Sequence, residues 1–157
     1  MPLRIAVVVL LALAAYVPLA GAGDTAELTR RGPRLISSKR GAIVTGRRLA
    51  PGSRRSGVVT ITNRGTPAGS FRLRGLVRGS TQLARHLRLT VRERRRGRKR
   101  VVYSGTLAGL RVVRLGGIKA GQARTFDFSV SLSPAAPNAL QGLRTTADFT
   151  WTAIQLS

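Results

Sequence analysis

The chain has 157 residues and a formal net charge of +23, from 28 lysines and arginines against five acidic residues. This length favours one globular domain, and the absence of cysteine excludes disulfide staples, thiolate metal sites and thiol catalysis. The positive charge favours polyanionic partners. The alternative explanation for the excess of arginine is a codon bias that places it at solvated positions.

The N-terminal segment has the three parts of a secretory signal peptide. Arg4 supplies a positive start, residues 5–17 are apolar, and small residues follow at positions 20–22. The apolar stretch is shorter than the roughly 20 residues that a membrane-spanning helix needs, which disfavours an uncleaved anchor. We therefore predict that residues 1–22 are a signal peptide and that the protein is secreted, to the extracellular space or the cell surface. The predicted cleavage site comprises Ala20, Ala22 and Gly23.

The rest of the chain has the pattern of an all-β domain. Residues 23–40 are polar and arginine-rich, so we predict an extended or flexible N-terminus before a β-sandwich domain at 41–157. Apolar and polar residues then alternate around residues 71–74, 87–92, 126–132 and 147–153. Further strands are predicted at residues 58–62, which are rich in β-branched side chains, and at 101–103 and 110–115. This pattern predicts a jelly-roll-like β-sandwich of seven to nine strands.

The apolar positions of these strands predict the core, and the intervening segments predict the turns. Gly116-Gly117 favours a break after a strand, and residues 134–140 form the only stretch that favours a helical turn. No pattern for a helix of three turns is present. The predicted core residues are Ile61, Phe71, Leu73, Leu87, Leu89, Val91, Phe126, Phe128, Val130, Phe149 and Trp151.

The residue types needed for catalysis are sparse. His86 is the single histidine, and its place in the alternation predicts a solvated strand edge. Asp127 and Asp148 fall on predicted outward faces, where they would meet if their strands pair, or else serve as partners for arginine. No glycine-rich phosphate loop is present. We predict no enzyme activity, no catalytic or metal-binding residue, no cofactor and no small-molecule substrate.

One basic run stands out. Residues 92–100 contain seven cations and one acid, with strand-like flanks and Gly97 where a hairpin would turn. Arginine forks at such a tip can bind phosphate or sulfate in a bidentate manner, so non-specific electrostatic binding of DNA or anionic wall polymer is one hypothesis. A mobile solubilising loop is the other. The candidate contact residues, hereafter the hairpin cluster, are Arg92, Arg94, Arg95, Arg96, Arg98, Lys99 and Arg100.

Short segments in order along residues 41–157 carry a family resemblance. They are LAPG at 49–52, GVVTITN at 57–63, YSGTL at 103–107, KAGQ at 119–122, FDFSV at 126–130, NALQG at 138–142 and FTWTAIQ at 149–155. Together they resemble the TasA/camelysin family of secreted, spore-coat-associated bacterial proteins. The resemblance implies a jelly-roll sandwich at the cell surface or in the biofilm matrix.

The resemblance also implies two activities. Fibre-forming members add the N-terminal strand of one subunit to the sheet of the next; here the possible donor residues are Leu28, Leu35 and Ile36. The camelysin branch implies a metalloprotease, but no metal-binding set in this chain matches one. The leading hypothesis is thus a structural matrix protein whose partners are itself or other surface proteins. A cationic module for extracellular DNA or anionic wall polymer is the alternative, and a camelysin-type metalloprotease the third.

Overall fold

The computed structural model describes residues 32–39, 41–46 and 49–155. Within these ranges lie eight strands, one short α-helix and two 3₁₀ turns. The strands are β1 (Leu35–Ser37), β2 (Arg54–Asn63), β3 (Gly69–Gly79), β4 (Leu87–Arg95), β5 (Arg98–Thr106), β6 (Val112–Ile118), β7 (Ala123–Leu132) and β8 (Thr145–Gln155). The helix α1 is Thr81–His86, and the 3₁₀ turns are Leu107–Gly109 and Asn138–Leu140. None of the described helices is long and apolar enough to cross a membrane.

The strands form two antiparallel sheets that pack face to face. One sheet has five strands in the order β1-β2-β7-β4-β5, and the other has three in the order β6-β3-β8. Apolar side chains at alternate positions meet between them: the Trp151 ring lies 5.5 Å from Phe71 in its own sheet and 4.8 Å from Phe126 in the other. Every residue of the predicted core is buried. The prediction of an all-β sandwich of seven to nine strands is confirmed.

The first described strand, β1, begins at Leu35. It therefore precedes residue 41, at which the sequence composition predicts the start of the β-sandwich domain. Leu35–Ser37 pairs with β2 at the edge of the five-stranded sheet. The buried Asn63 side chain fixes the backbone just before β1, because Asn63 Oδ1 accepts a hydrogen bond from the backbone N–H of Arg34 at 3.0 Å. The same oxygen accepts a hydrogen bond from the backbone N–H of Gly65 at 2.9 Å. Of the possible donor residues, Leu35 packs partly against the core and Ile36 is exposed. Leu28, the signal segment 1–22 and the cleavage residues Ala20, Ala22 and Gly23 lie outside the described residues.

The helix α1 corrects two predictions. A helical turn was expected only within residues 134–140, where a 3₁₀ turn does form, yet Thr81–His86 is also helical. The Ser80 hydroxyl caps it by accepting a hydrogen bond from Leu83 N–H at 3.1 Å. His86 is therefore the last residue of a helix, half-buried, rather than a solvated strand-edge residue. A six-residue helix is too short to show a helical period in the sequence.

The strand β6 corrects a third prediction, the break at Gly116-Gly117. The strand runs through both glycines to the buried Ile118. Gly116 has φ of +83°, a left-handed conformation that favours glycine, and the register with β3 shifts nearby, between Phe71 and Arg72. The glycines therefore serve an irregularity within the strand instead of ending it.

Candidate polyanion-binding hairpin

The basic run at residues 92–100 forms the end of the β4–β5 hairpin. Arg95 and Arg98 are directly paired, which leaves Arg96 and Gly97 as a two-residue loop. Both loop residues have positive φ, +39° and +77°, the backbone hand that matches the twist of a tight hairpin. The turn expected at Gly97 is confirmed, and six of the seven cations are exposed.

Two cations of the hairpin cluster are bound to Asp127 on the neighbouring strand β7. Arg94 Nη2 lies 2.6 Å from Asp127 Oδ1, and Lys99 Nζ lies 3.0 Å from Oδ2. The hydrogen bond from Arg94 is the main cause that lowers the pKa of Asp127; Lys99 adds to it, and partial burial acts the other way. This carboxylate thus neutralises part of the hairpin and ties it to the centre of the sheet.

Two further cations are bound to Glu93. Arg95 Nε lies 2.9 Å from Glu93 Oε2, and Arg100 Nη2 lies 3.4 Å from the same oxygen. Because Arg95 and Arg100 are about half exposed, water screens these contacts. The contact of Arg100 crosses from β5 to β4, whereas that of Arg95 lies within β4, and both reduce the positive charge that the hairpin presents to a ligand.

Three cations of the hairpin cluster have no such partner. Among the described carboxylates, none lies within ion-pair distance of Arg92, Arg96 or Arg98. Arg96 occupies the loop itself, and Arg98 begins β5 beside it. The hairpin cations without an ion-pair partner therefore lie at its tip and at Arg92.

A buried ion pair anchors the base of the hairpin. The side chains of Glu93 and Arg124 are only 2% and 3% exposed, and Arg124 Nε donates to Glu93 Oε1 at 2.6 Å. The remaining guanidinium nitrogens donate to the carbonyls of Gly117 at 3.2 Å and Leu115 at 2.8 Å. The Arg124 guanidinium carbon also lies 5.2 Å from the centre of the Phe71 ring. This arrangement links β4, β7 and β6, which belong to both sheets.

Burial by itself raises the pKa of Glu93. The hydrogen bond and charge of Arg124, and then those of Arg95, outweigh that effect, so the pKa lies below its usual value. Glu93 is therefore ionised at neutral pH, and the hairpin is held by a charged contact inside the protein.

No role for Glu93 or Arg124 is predicted from the sequence, although the alternating pattern carries a signal for both. Glu93 continues the inward series Leu87, Leu89 and Val91, and Arg124 precedes the inward series of Phe126. Two opposite charges at inward positions of alternating strands indicate a buried ion pair.

Beside the hairpin, the outer face of the five-stranded sheet is rich in hydroxyl groups. A single row crosses four strands, since Ser56 pairs with Ser129, Ser129 with Thr90, and Thr90 with Ser104. Arg92 follows Thr90 two positions along β4 on the same face, and Arg88 precedes it by two. Hydroxyl and guanidinium groups both donate hydrogen bonds to phosphate oxygens. The sheet thus extends the donor surface of the hairpin.

The remaining candidate residues do not come together. Asp127 lies on β7 and Asp148 on β8, in different sheets, so the two strands do not pair. Each is an ion-pair partner instead, as the alternative prediction has it: Asp148 Oδ2 lies 2.9 Å from Arg78 Nε. His86 lies at the end of α1. Across the described parts of the chain, no three histidine, aspartate or glutamate side chains are grouped to hold a metal ion.

Comparisons with known proteins place the chain in no family. No family model matches it, and no curated protein matches it. Among solved structures, AvmM, which catalyses macrocyclisation in alchivemycin A biosynthesis, is 12% identical at a TM-score of 0.37, over 68% of this chain and 82% of AvmM. CpGH89CBM32-5 from Clostridium perfringens, in complex with GalNAc-β-1,3-galactose, is 13% identical at 0.32, over 64% and 68%. At such TM-scores neither bears on the fold or activity of this chain.

Proposed function

We propose that this protein is a secreted, non-enzymatic β-sandwich that binds phosphate-rich polyanions, extracellular DNA or anionic wall polymer, through the hairpin cluster. The main supporting observation is that Arg92, Arg96 and Arg98 have no ion-pair partner among the described carboxylates. They lie on a hairpin that the contacts of Arg124 connect to both sheets. A fixed cationic tip loses less conformational freedom on binding than a mobile loop does. We expect non-specific binding, because contacts between arginine forks and phosphate groups carry no sequence information.

The salt dependence of DNA binding tests the proposal. Each phosphate that an arginine neutralises contributes about 0.9 to the slope of log K against log salt concentration. The variant R92Q/R96N/R98Q removes the free cations, and asparagine at position 96 suits the two-residue turn. We expect this variant to bind duplex DNA of any sequence more weakly, and its log K to fall less steeply with log salt concentration.

The control variant is R64Q/R85Q/R144Q, which removes the same charge from exposed positions outside the hairpin. We expect it to keep most of the affinity. If the two variants lose the same affinity, the total charge of the protein accounts for binding, and the hairpin has no special role.

Self-assembly by strand addition is the second candidate, and the position of β1 favours it. This strand has three residues and lies at the edge of its sheet. The opposite edge of that sheet, β5, begins Arg98-Lys99-Arg100, and charged edge strands oppose edge-to-edge pairing. Of the two edges of this sheet, assembly would thus use the β1 edge, where the TasA resemblance places the donor segment. Salt would favour assembly by screening the net charge.

Light scattering across protein concentration and salt tests assembly. An increase in particle size in high salt without DNA would support strand addition if the variant L35D does not show it. Position 35 is chosen because Leu35 packs partly against the core. A monomer under every condition would reject it. The protease activity of the camelysin branch stays a prediction of the resemblance, and chelator-sensitive cleavage by the purified protein would support it.

A further inference from the structure

Three other arginines gather on the outer face of the three-stranded sheet. Arg72 and Arg74 alternate with the buried Phe71 and Leu73 along β3, so they face outward. Arg114 on the edge strand β6 is the direct cross-strand partner of Arg72. We call Arg72, Arg74 and Arg114 the sheet cluster. Its members come from distant parts of the sequence, and only the pairing of β3 with β6 brings them together.

No described carboxylate neutralises the sheet cluster. The described carboxylates are Glu93, Asp127 and Asp148, and other cations hold all of them: Arg124, Arg95 and Arg100 at Glu93, Arg94 and Lys99 at Asp127, and Arg78 at Asp148. Like charges directly opposite each other on a sheet are destabilising. The Arg72–Arg114 pair therefore lacks the compensation that the hairpin cluster receives.

Arg72 has a second unmet requirement. Its Nε atom is buried and, among the described residues, finds no hydrogen-bond acceptor. A buried N–H group without an acceptor is unfavourable, so native structures rarely leave one. On the far side of β3, Thr152 is the cross-strand partner of Arg72, and Thr150 is that of Arg74. Their half-buried hydroxyls share the outward face and can act as further donors.

We propose that the sheet cluster is a binding site for a phosphate or sulfate group. A tetrahedral oxyanion supplies negative charge between Arg72 and Arg114, and it also offers an oxygen acceptor to Arg72 Nε once a rotation of the Arg72 side chain uncovers this buried atom. Guanidinium groups bind such oxyanions through two parallel hydrogen bonds. The site lies on the sheet opposite to the one that contains the hairpin cluster, so it is a separate site and does not depend on DNA binding at the hairpin.

Thermal unfolding with inorganic tripolyphosphate tests the site. Because the hairpin cluster can also bind this anion, the experiment starts from the hairpin variant R92Q/R96N/R98Q. A ligand that binds only the folded state raises the unfolding temperature in proportion to the logarithm of its concentration. We expect such a rise in the hairpin variant, above that in sodium chloride of equal ionic strength. Adding R72T/R74T/R114T is expected to abolish it.

A second variant keeps the test decisive if the multiple substitution fails to fold. R114T alone changes one exposed residue of an edge strand, and we expect it to weaken the tripolyphosphate response severalfold. The proposal is overturned if tripolyphosphate acts no more strongly than sodium chloride on the hairpin variant, or if R114T and the combined variant respond as their parent does.

Further titrations identify the source of the oxyanion. A response to inorganic phosphate or sulfate alone supports a free anion, whereas a response only to tripolyphosphate and to a duplex oligonucleotide supports groups carried on a polymer. The proposed function is tested separately, by DNA retention of the hairpin variant against its charge-matched control. Either proposal can therefore fail while the other stands.

Discussion

The hairpin cluster and the sheet cluster place arginines in opposite electrostatic settings. In the hairpin cluster, Glu93 and Asp127 bind four of the seven cations and offset at most two positive charges, and Arg92, Arg96 and Arg98 have no ion-pair partner among the described carboxylates. In the sheet cluster, two arginines face each other directly, and no described carboxylate lies within ion-pair distance of its members. A run of like charges in the sequence can thus be partly neutralised by the fold, and scattered charges can be concentrated by it.

The difference has consequences for stability and for binding. Compensated cations contribute to the native state, since their carboxylate partners connect the hairpin to the core and to β7. Uncompensated cations oppose the native state until an anion binds, so their charge is available to a ligand. Substitutions of the paired cations in the hairpin cluster and of the arginines in the sheet cluster should therefore change stability in opposite directions.

The largest expected effect follows from breaking the buried pair at the base of the hairpin. R124A leaves Glu93 charged and buried without its main partner, and such a loss costs about 3–5 kcal/mol of the free energy of unfolding. Urea denaturation measures the change. R95A removes a half-exposed partner of the same carboxylate and is expected to cost at most about 1 kcal/mol.

The double variant E93L/R124L tests whether the cost of R124A arises from leaving Glu93 charged and unpaired. It removes both charges and fills the space with apolar groups, so it is expected to be more stable than R124A alone. Equal destabilisation by R124A and R95A would contradict the assignment of Arg124 as the anchor of the hairpin.

The second effect is a loss of stability in acid that depends on the hairpin carboxylates. The pKa values of Glu93 and Asp127 are lowered in the folded protein, so the unfolded chain takes up these protons at a higher pH. Their contribution is present above the ordinary carboxyl pKa of about 4 and is lost as the pH falls through the lowered folded values. Urea denaturation between pH 7 and pH 3 follows it.

Two variants separate the clusters in that experiment. E93L/R124L should show a flatter pH profile, because one of the two carboxylates is gone. R72T/R74T/R114T should keep the profile of the unmodified protein, since its substitutions touch neither carboxylate. A pH profile unchanged in E93L/R124L would show that Glu93 does not couple protonation to folding.

The smallest expected effect is a gain in stability at the sheet cluster. R114T removes one of two directly opposed like charges, and threonine suits a strand, so the free energy of unfolding should rise by about 0.2–1 kcal/mol. Salt screens exposed charges, so the gain should shrink as the ionic strength increases. Destabilisation by R114T at low salt would show that Arg114 has a favourable partner and would remove the main argument for the sheet cluster as an anion site.

Local pattern predicted much of the fold and part of the candidate site. Alternation identified the buried faces of β3, β4, β7 and β8, because the side-chain period of a strand depends on the backbone alone. Gly97 identified the turn, because a two-residue hairpin loop requires positive φ. The short helix ending at His86 is a single capped turn and leaves no periodic signal, and the predicted break at the glycines of β6 is wrong because the strand continues through them.

The sequence by itself determined which residues face inward, including Glu93 and Arg124, and which residues the hairpin carries at its tip. Both properties follow from neighbours along the chain. The tertiary structure alone decided that Glu93 meets Arg124, that Asp127 meets Arg94 and Lys99 rather than Asp148, and that Arg72 lies opposite Arg114. The physical reason is that the face of a residue is a local property, whereas its partner depends on which strands pair and in what register, and many distant contacts fix both together.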